Sequence, residues 1–287
     1  MTFDRRITPS RPDLADERLR GQVEAERFTT GTAKRVLSSF APVHRHPSRE
    51  APLDTQAIRG EPVVVYDEHE GWAWVQLQTD GYMGYVPSMA LGDPGPAPTH
   101  RVRTTRSFIY PGPNIKLPHV DHLTMNSLVA VARVDGHFAE LADGGFIFAA
   151  HLAEREAVET DYVSVAERFL HVPYLWGGKT SLGIDCSGLA QTALAAAGIG
   201  APRDSDMQEQ QLGEPLDLRS DLGGLRRGDL VFWKGHVGLM MDETHLLHAT
   251  GYTMTVMIEP LSVADERIRR TDSKPITSVR RLAPSGS

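Results

Sequence analysis

Between Pro62 and Leu91 the chain reads PVVVYDEHEGWAWVQLQTDGYMGYVPSMAL. Val63 and Val65, then Trp72, Trp74 and Gln76, recur at every second position, the period of half-buried strands, and Thr79-Asp80-Gly81 marks a turn. From Ser127 to Leu152, SLVAVARVDGHFAELADGGFIFAAHL repeats the order: a valine-rich strand, a Gly-aromatic strand, an Asp-Gly turn and a closing hydrophobic strand. The repeat predicts two copies of one small all-β unit. GDPGPAPT, Gly92 to Thr99, lies between them, a proline and glycine linker that cannot join a sheet. Beyond about Glu156 the period changes. VSVAERFLH, Val163 to His171, has helical spacing, and CSGLAQTALAAAG, Cys186 to Gly198, is a stronger helix with a glycine stop. LVFW and HVGLMM then read as short buried strands, so this part is an α+β domain.

A length of 287 residues with 40% apolar positions favours two or three domains with real cores. We divide the chain into an N-terminal arm (1–29), two β units (30–92 and 99–153) and the α+β domain (156–283). The longest apolar stretch, Leu189 to Ile199, is interrupted by Gln191, Thr192 and Gly198 and falls short of the roughly 20 residues that span a bilayer. No membrane helix is expected. The start, MTFDRRITPSRPDLADERLRG, has Arg5 and Arg6 but no apolar run behind them, which points to the cytoplasm. A net charge of -7 argues against a nucleic-acid partner. The twelve histidines include close pairs (His44 with His46, His119 with His122, His245 with His248), yet lack a HExxH pattern or cysteine partners. They are read as surface or loop histidines, with no metal. A single cysteine excludes an internal disulfide, and with no coiled seam in the pattern a monomer is expected.

That cysteine, Cys186, follows a glycine-containing loop and starts the alanine-rich helix. Unpaired N–H groups and the positive end of the helix dipole stabilise an anion there, so the position predicts a thiol lowered from about 8.5 towards the reactive range. The alternative is a small buried hydrophobe. A nucleophilic cysteine needs a histidine to take its proton and a third group to orient the imidazole. GDLVFWKGHVGLMMDETHLLHATG supplies both: if HVGLMM and HLLHA are adjacent antiparallel strands, His236 and His248 lie side by side. His245, beside the turn, is the competing orienter.

GEPVVV, GWAWVQL and DGYMGYVP resemble bacterial SH3-like barrels, with the second copy more diverged. PYLWGG, DCSGL, PRDSDMQ, LRRGDLVFW and GHVGLMM, in order from about Val163 to Arg281, resemble the NlpC family of papain-like cell-wall peptidases. The fold implied is an α+β papain-like catalytic domain preceded by two small SH3-like barrels. By that resemblance Cys186 is the nucleophile, His236 its base and His248 the orienting residue, while Tyr174 lies near the nucleophile at the oxyanion or substrate site. Two barrels ahead of the domain resemble the subgroup that cuts γ-D-glutamyl bonds in murein peptides beginning with L-Ala, releasing L-Ala-γ-D-Glu without a cofactor. Asp204 and Ser205 would then bind the substrate's amine, with Glu61 and Tyr82 (or Tyr85) reaching in from the first barrel. Asp185 and Ser187 flank the nucleophile and are candidate substrate contacts, Asp185 being equally a helix cap. An amidase or acyltransferase of the same fold, and a non-catalytic wall-binding protein, are the alternatives.

Overall fold

The computed structural model describes residues 3–217, 219 and 221–283. The chain forms two compact units, one ending at Ala157 and one beginning at Val158.

The first unit holds both β repeats. In the first barrel seven antiparallel strands lie in the order Leu53–Ile58, Phe40–His44, Met83–Pro87, Trp72–Leu77, Pro62–His69, Thr32–Val36 and Leu91–Gly92. Alternation within Trp72–Leu77 sends Ala73, Val75 and Leu77 into the core with Val43, Val63 and Val86. The opposite face carries Trp74, and the chain covers that too. Residues expected to form an arm fold over this face: Leu14 packs with Tyr66, Trp74 and Met83, and the Arg11 guanidinium lies 4.4 Å from the Trp74 ring centre. Arg11 also donates to Asp67 at 2.7 Å and to the Tyr85 hydroxyl at 2.9 Å. The N-terminal segment is therefore a lid on the barrel. The sequence hides this because residues 3–29 have no periodicity of their own.

The second repeat forms a five-stranded sheet from Arg106 to Phe148 and a three-stranded one made by Leu128–Val129, His100–Val102 and Leu152–Glu154. Val102, Ile109, Leu123 and Ile147 fill its core. The two barrels abut at Gly60, whose φ is +80° and where a Cβ would lie 2.2 Å from the Leu128 carbonyl oxygen. Only glycine fits. The Leu128 N–H donates to the Arg59 carbonyl at 2.9 Å, and Arg59 pairs with Asp143 at 2.5 Å.

The second unit packs helices against one antiparallel sheet. Its helices are α1 (Tyr162–Glu167), α2 (Cys186–Ala196), α3 (Ser205–Gln211) and α4 (Leu261–Asp272). Its main strands are β1 (Glu214–Leu216), β2 (Leu230–Trp233), β3 (His236–Met240), β4 (His245–Thr250), β5 (Thr255–Pro260) and β6 (Ile276–Arg281), in the order β1-β6-β2-β3-β4-β5. Helix α2 is buried on almost every side, which explains its run of alanine and leucine, and it ends before Gly198 at φ +75°. Helix α4 lies on the other side, where the Trp233 indole donates to Asp265 at 3.1 Å. No helix among the described residues is long and apolar enough to cross a membrane.

If the N-terminal segment is part of the barrel, Leu14→Ala should cost about 2–5 kcal/mol, the usual range for a buried leucine. Chemical denaturation followed by tryptophan fluorescence reads this. An unchanged midpoint would contradict the packing of Leu14 on Trp74.

Candidate active site

The nucleophile's position is built from close backbone approach. Two short strands, Lys179–Thr180 and Gly183–Ile184, form a hairpin that leads into α2. A Cβ on Gly188, in the first turn of α2, would sit 2.3 Å from the Gly178 carbonyl oxygen, and one on Gly178 would meet the Gly183 oxygen at 2.4 Å. The glycines of WGG and CSG thus let hairpin and helix meet without side chains between them.

Asp185 secures this junction. As N-cap it accepts from the Gly188 N–H at 2.7 Å, and it also accepts from the Gly177 N–H at 2.9 Å. Arg203, 1% exposed, grips both carboxylate oxygens at 3.0 and 2.7 Å and donates to the Ser187 hydroxyl at 2.8 Å. With the Ser187 hydroxyl also 3.3 Å from Oδ1, the lone pairs of Asp185 are taken. Both are tied into the frame of α2, and Asp185 holds the helix-cap place given above as its other reading. Arg203, which carries that frame, has no periodic or catalytic signal in the sequence beyond its place in PRDSDMQ.

Cys186, 6% exposed, opens α2, and the N–H groups of Val237 and Ser187 point at its sulfur. Val237 follows His236, so the start of β3 lies against the thiol. Burial pushes the Cys186 thiol up to about 12, the Asp185 charge adds to this, and those N–H groups with Arg203 pull the other way. Here burial outweighs the helix terminus, and the expected resting thiolate gives way to a neutral thiol. His236 changes in the complementary sense. Desolvation, and then the neighbouring His248 and Arg267, bring it down to about 3.

His236 follows the tight hairpin loop Lys234-Gly235, with Gly235 at φ +85°. Strand β3 pairs with β4 in the register Leu239 to Leu247, which makes His236 and His248 diagonal neighbours. His236 Nε2 lies 2.9 Å from His248 Nδ1. This leaves Nδ1 as the His236 ring nitrogen that His248 does not engage. His245 sits at the opposite end of β4, bonded to Asp242 in the turn at 3.0 Å.

Beyond His248 the polar chain continues through two residues that sequence reasoning missed. His248 is 0% exposed, and its Nε2 lies 2.9 Å from Glu259 Oε1 on β5. Arg267 on α4 donates to both oxygens of Glu259 at 2.5 and 2.6 Å and lies 4.6 Å from the Tyr252 ring centre. Burial works to raise the Glu259 carboxyl, but hydrogen bonds from His248 and Arg267, together with the Arg267 charge, outweigh it and bring it to about 2. The usable signal was a carboxylate on β5 paired in register close to His248.

Tyr174 bridges to Ile184, two residues before the nucleophile, and its N–H donates to the Met254 carbonyl at 2.9 Å. Burial, with the nearby Cys186 and Asp185, raises its phenol, so it stays a protonated donor. Asp204 and Ser205 open α3, half-buried, and the Asp204 side chain makes no capping bond. Gln208 anchors this helix to the nucleophile's turn by donating to the Ser187 carbonyl at 3.0 Å. Glu61 and Tyr82 are built into the first barrel. Glu61, 2% exposed, accepts from the Ile58 N–H at 2.9 Å and from the Thr79 hydroxyl. Tyr82 is part of the barrel core, and Tyr85 is engaged by Arg11. Among the described residues no group of three His, Cys, Asp or Glu side chains could hold a metal ion.

The depressed His236 and Glu259 predict acid lability. Below the ordinary histidine value of 6.5 the unfolded chain takes a proton that native His236 refuses until about 3, so stability falls as pH falls through that window. The Glu259 contribution, complete above 4.5, is lost as pH drops through about 2. His236→Ala should therefore lose less in thermal midpoint than the parent between pH 6.5 and 4.5. Equal losses would contradict a buried neutral imidazole.

Two segments of the chain match known families. The NlpC/P60 family matches residues 171–268, and the bacterial dipeptidyl-peptidase SH3 domain matches residues 43–91. A γ-D-glutamyl-L-lysine dipeptidyl-peptidase of Bacillus cereus is 26% identical over 242 residues, 73% of this chain and 71% of that protein. Dipeptidyl-peptidase 6 of Lysinibacillus sphaericus is 26% identical over 268 residues, 85% of this chain and 97% of that one. The crystal structure of a NlpC/P60 family protein from Bacillus cereus superimposes with a TM-score of 0.74 at 22% identity, covering 88% of this chain and all of that one, a likeness of fold. With Cys186 and His236 at the meeting point of α2 and β3, residues 171–268 form a domain of the NlpC/P60 family, a papain-like cysteine-peptidase domain, and a bacterial SH3-like domain precedes it.

Proposed function

We propose that this cysteine peptidase hydrolyses the bond between γ-D-glutamate and the following diamino acid in murein peptides with a free N-terminal L-Ala, releasing L-Ala-γ-D-Glu. The observation that carries the reading is the pairing of His236 with His248, Nε2 to Nδ1 at 2.9 Å, on a strand whose next residue, Val237, brings its N–H to the Cys186 sulfur. It supports acyl transfer to sulfur. The γ-D-glutamyl specificity follows the relatives, whose similarity extends over most of both chains.

In this mechanism His236 Nδ1 takes the thiol proton as Sγ attacks the γ-carbonyl carbon, so charge need not be separated in a dry site before substrate arrives. The Cys186 N–H, first in α2 and without an intrahelical acceptor, and the Tyr174 phenol are the donors for the oxyanion. Protonated His236 gives its proton to the leaving amine, and water then hydrolyses the thioester. Asp204 and Ser205, at the start of α3, are the partners for the substrate ammonium, since a partly desolvated cation needs a carboxylate and a hydroxyl. We take the enzyme to be a monomer acting on soluble peptides in the cytoplasm, a reducing compartment that suits a lone thiol.

The test incubates L-Ala-γ-D-Glu-meso-diaminopimelate and its N-acetylated form with the protein and follows products by mass spectrometry. We expect L-Ala-γ-D-Glu from the free-amine peptide alone, and Cys186→Ala to lower turnover by at least about 10³-fold. Cleavage of both forms would discard the amine pocket. Cleavage of neither, or transfer to an added amine in place of hydrolysis, would discard the peptidase assignment to this bond.

A further inference from the structure

A neutral buried imidazole donates through one ring nitrogen and accepts through the other, and which does which is set by its partners. His248 is fully buried, between His236 Nε2 at 2.9 Å from its Nδ1 and Glu259 Oε1 at 2.9 Å from its Nε2. An ionised carboxylate only accepts. Arg267 keeps Glu259 ionised and fixed by a two-pronged pair at 2.5 and 2.6 Å. The proton of His248 is therefore on Nε2, and its Nδ1 offers a lone pair.

We propose that Glu259 is a positioning residue for the catalytic base: by holding the His248 proton on Nε2, it obliges His236 to carry its own proton on Nε2 and frees His236 Nδ1 to take the thiol proton. With the opposite arrangement at His248, Nδ1–H would face His236 Nε2 and force the His236 proton onto Nδ1. That nitrogen could then not act as base. Once His236 has taken the thiol proton, both its nitrogens bear hydrogen, and the negative charge of Glu259 reaches the cation through His248. No net proton needs to move along the chain. Arg267 acts one step further out, fixing the carboxylate while its guanidinium lies against the Tyr252 ring.

The proposal rests on Cys186 being a nucleophile with His236 as its base, and two variants separate positioning from packing. Glu259→Gln keeps an oxygen that can accept from His248 but strands the Arg267 charge in a buried site, which is destabilising. Glu259→Leu with Arg267→Met replaces the ion pair by apolar side chains of similar size, so the fold tolerates it, but His248 Nε2 loses its acceptor. Activity and stability should therefore rank in opposite orders. The double variant should have the higher thermal midpoint of the two and the lower kcat, on the order of 10²-fold below the parent with KM little changed. Alkylation of Cys186 by iodoacetamide near neutral pH, which needs no substrate, should slow in the same order as kcat.

A double variant with parental kcat and alkylation rate would overturn the proposal, as would activity that simply follows stability. Should Glu259→Gln fail to fold, the double variant against the parent decides the matter alone. If the parent cleaves no γ-D-glutamyl peptide, the substrate assignment fails, and the alkylation rates still test Glu259.

Discussion

A polar group in a dry interior must have a partner, and in this protein that requirement is met in one line from the strand that lies against the nucleophile to the helix that closes the sheet. His248, with no exposed surface, connects His236 to Glu259, and Glu259 is pinned by Arg267. Strands β3, β4 and β5 supply the first three at the spacing that antiparallel register provides, and α4 supplies the last. Shifting one strand by a residue would move His248 to the other face of the sheet. The fold is thus constrained by the same contacts that orient the base.

At the nucleophile two effects oppose each other. The start of α2 directs N–H groups and a positive dipole end at the sulfur, whereas burial withholds water from any charge. Asp185 tips the balance further towards the neutral thiol, because the cap that starts the helix is itself an anion beside Cys186. A neutral thiol beside a neutral imidazole costs less to bury than an ion pair, and it moves proton transfer into the attack step. Reactivity in such a site comes from the orientation of the base and the donors around the oxyanion.

Much of this could be read from the chain. Period-two alternation located the barrels, the Cys186 to Gly198 run located α2, and the spacing of His236 and His248 anticipated their pairing across adjacent strands. The remainder depended on contacts distant in sequence. Residues 3–29 show no pattern because their shape is imposed by the Trp74 face they cover. Asp185 reads from its place beside the nucleophile as either ligand or helix cap, and only the buried approach of Arg203, eighteen positions on, shows how its oxygens are held. Glu259 and Arg267 are ordinary charges in the sequence. Their part emerges when β5 and α4 bring them behind His248.

Nitrogen-15 and proton NMR of the imidazoles in the substrate-free protein near neutral pH tests the central claim most directly, that the base is neutral and set in one tautomer by its buried partners. The account predicts neutral His236 and His248 rings, each with its proton on Nε2. An imidazolium at His236 paired with a Cys186 thiolate, or a proton on Nδ1 of either ring in the resting enzyme, would contradict it.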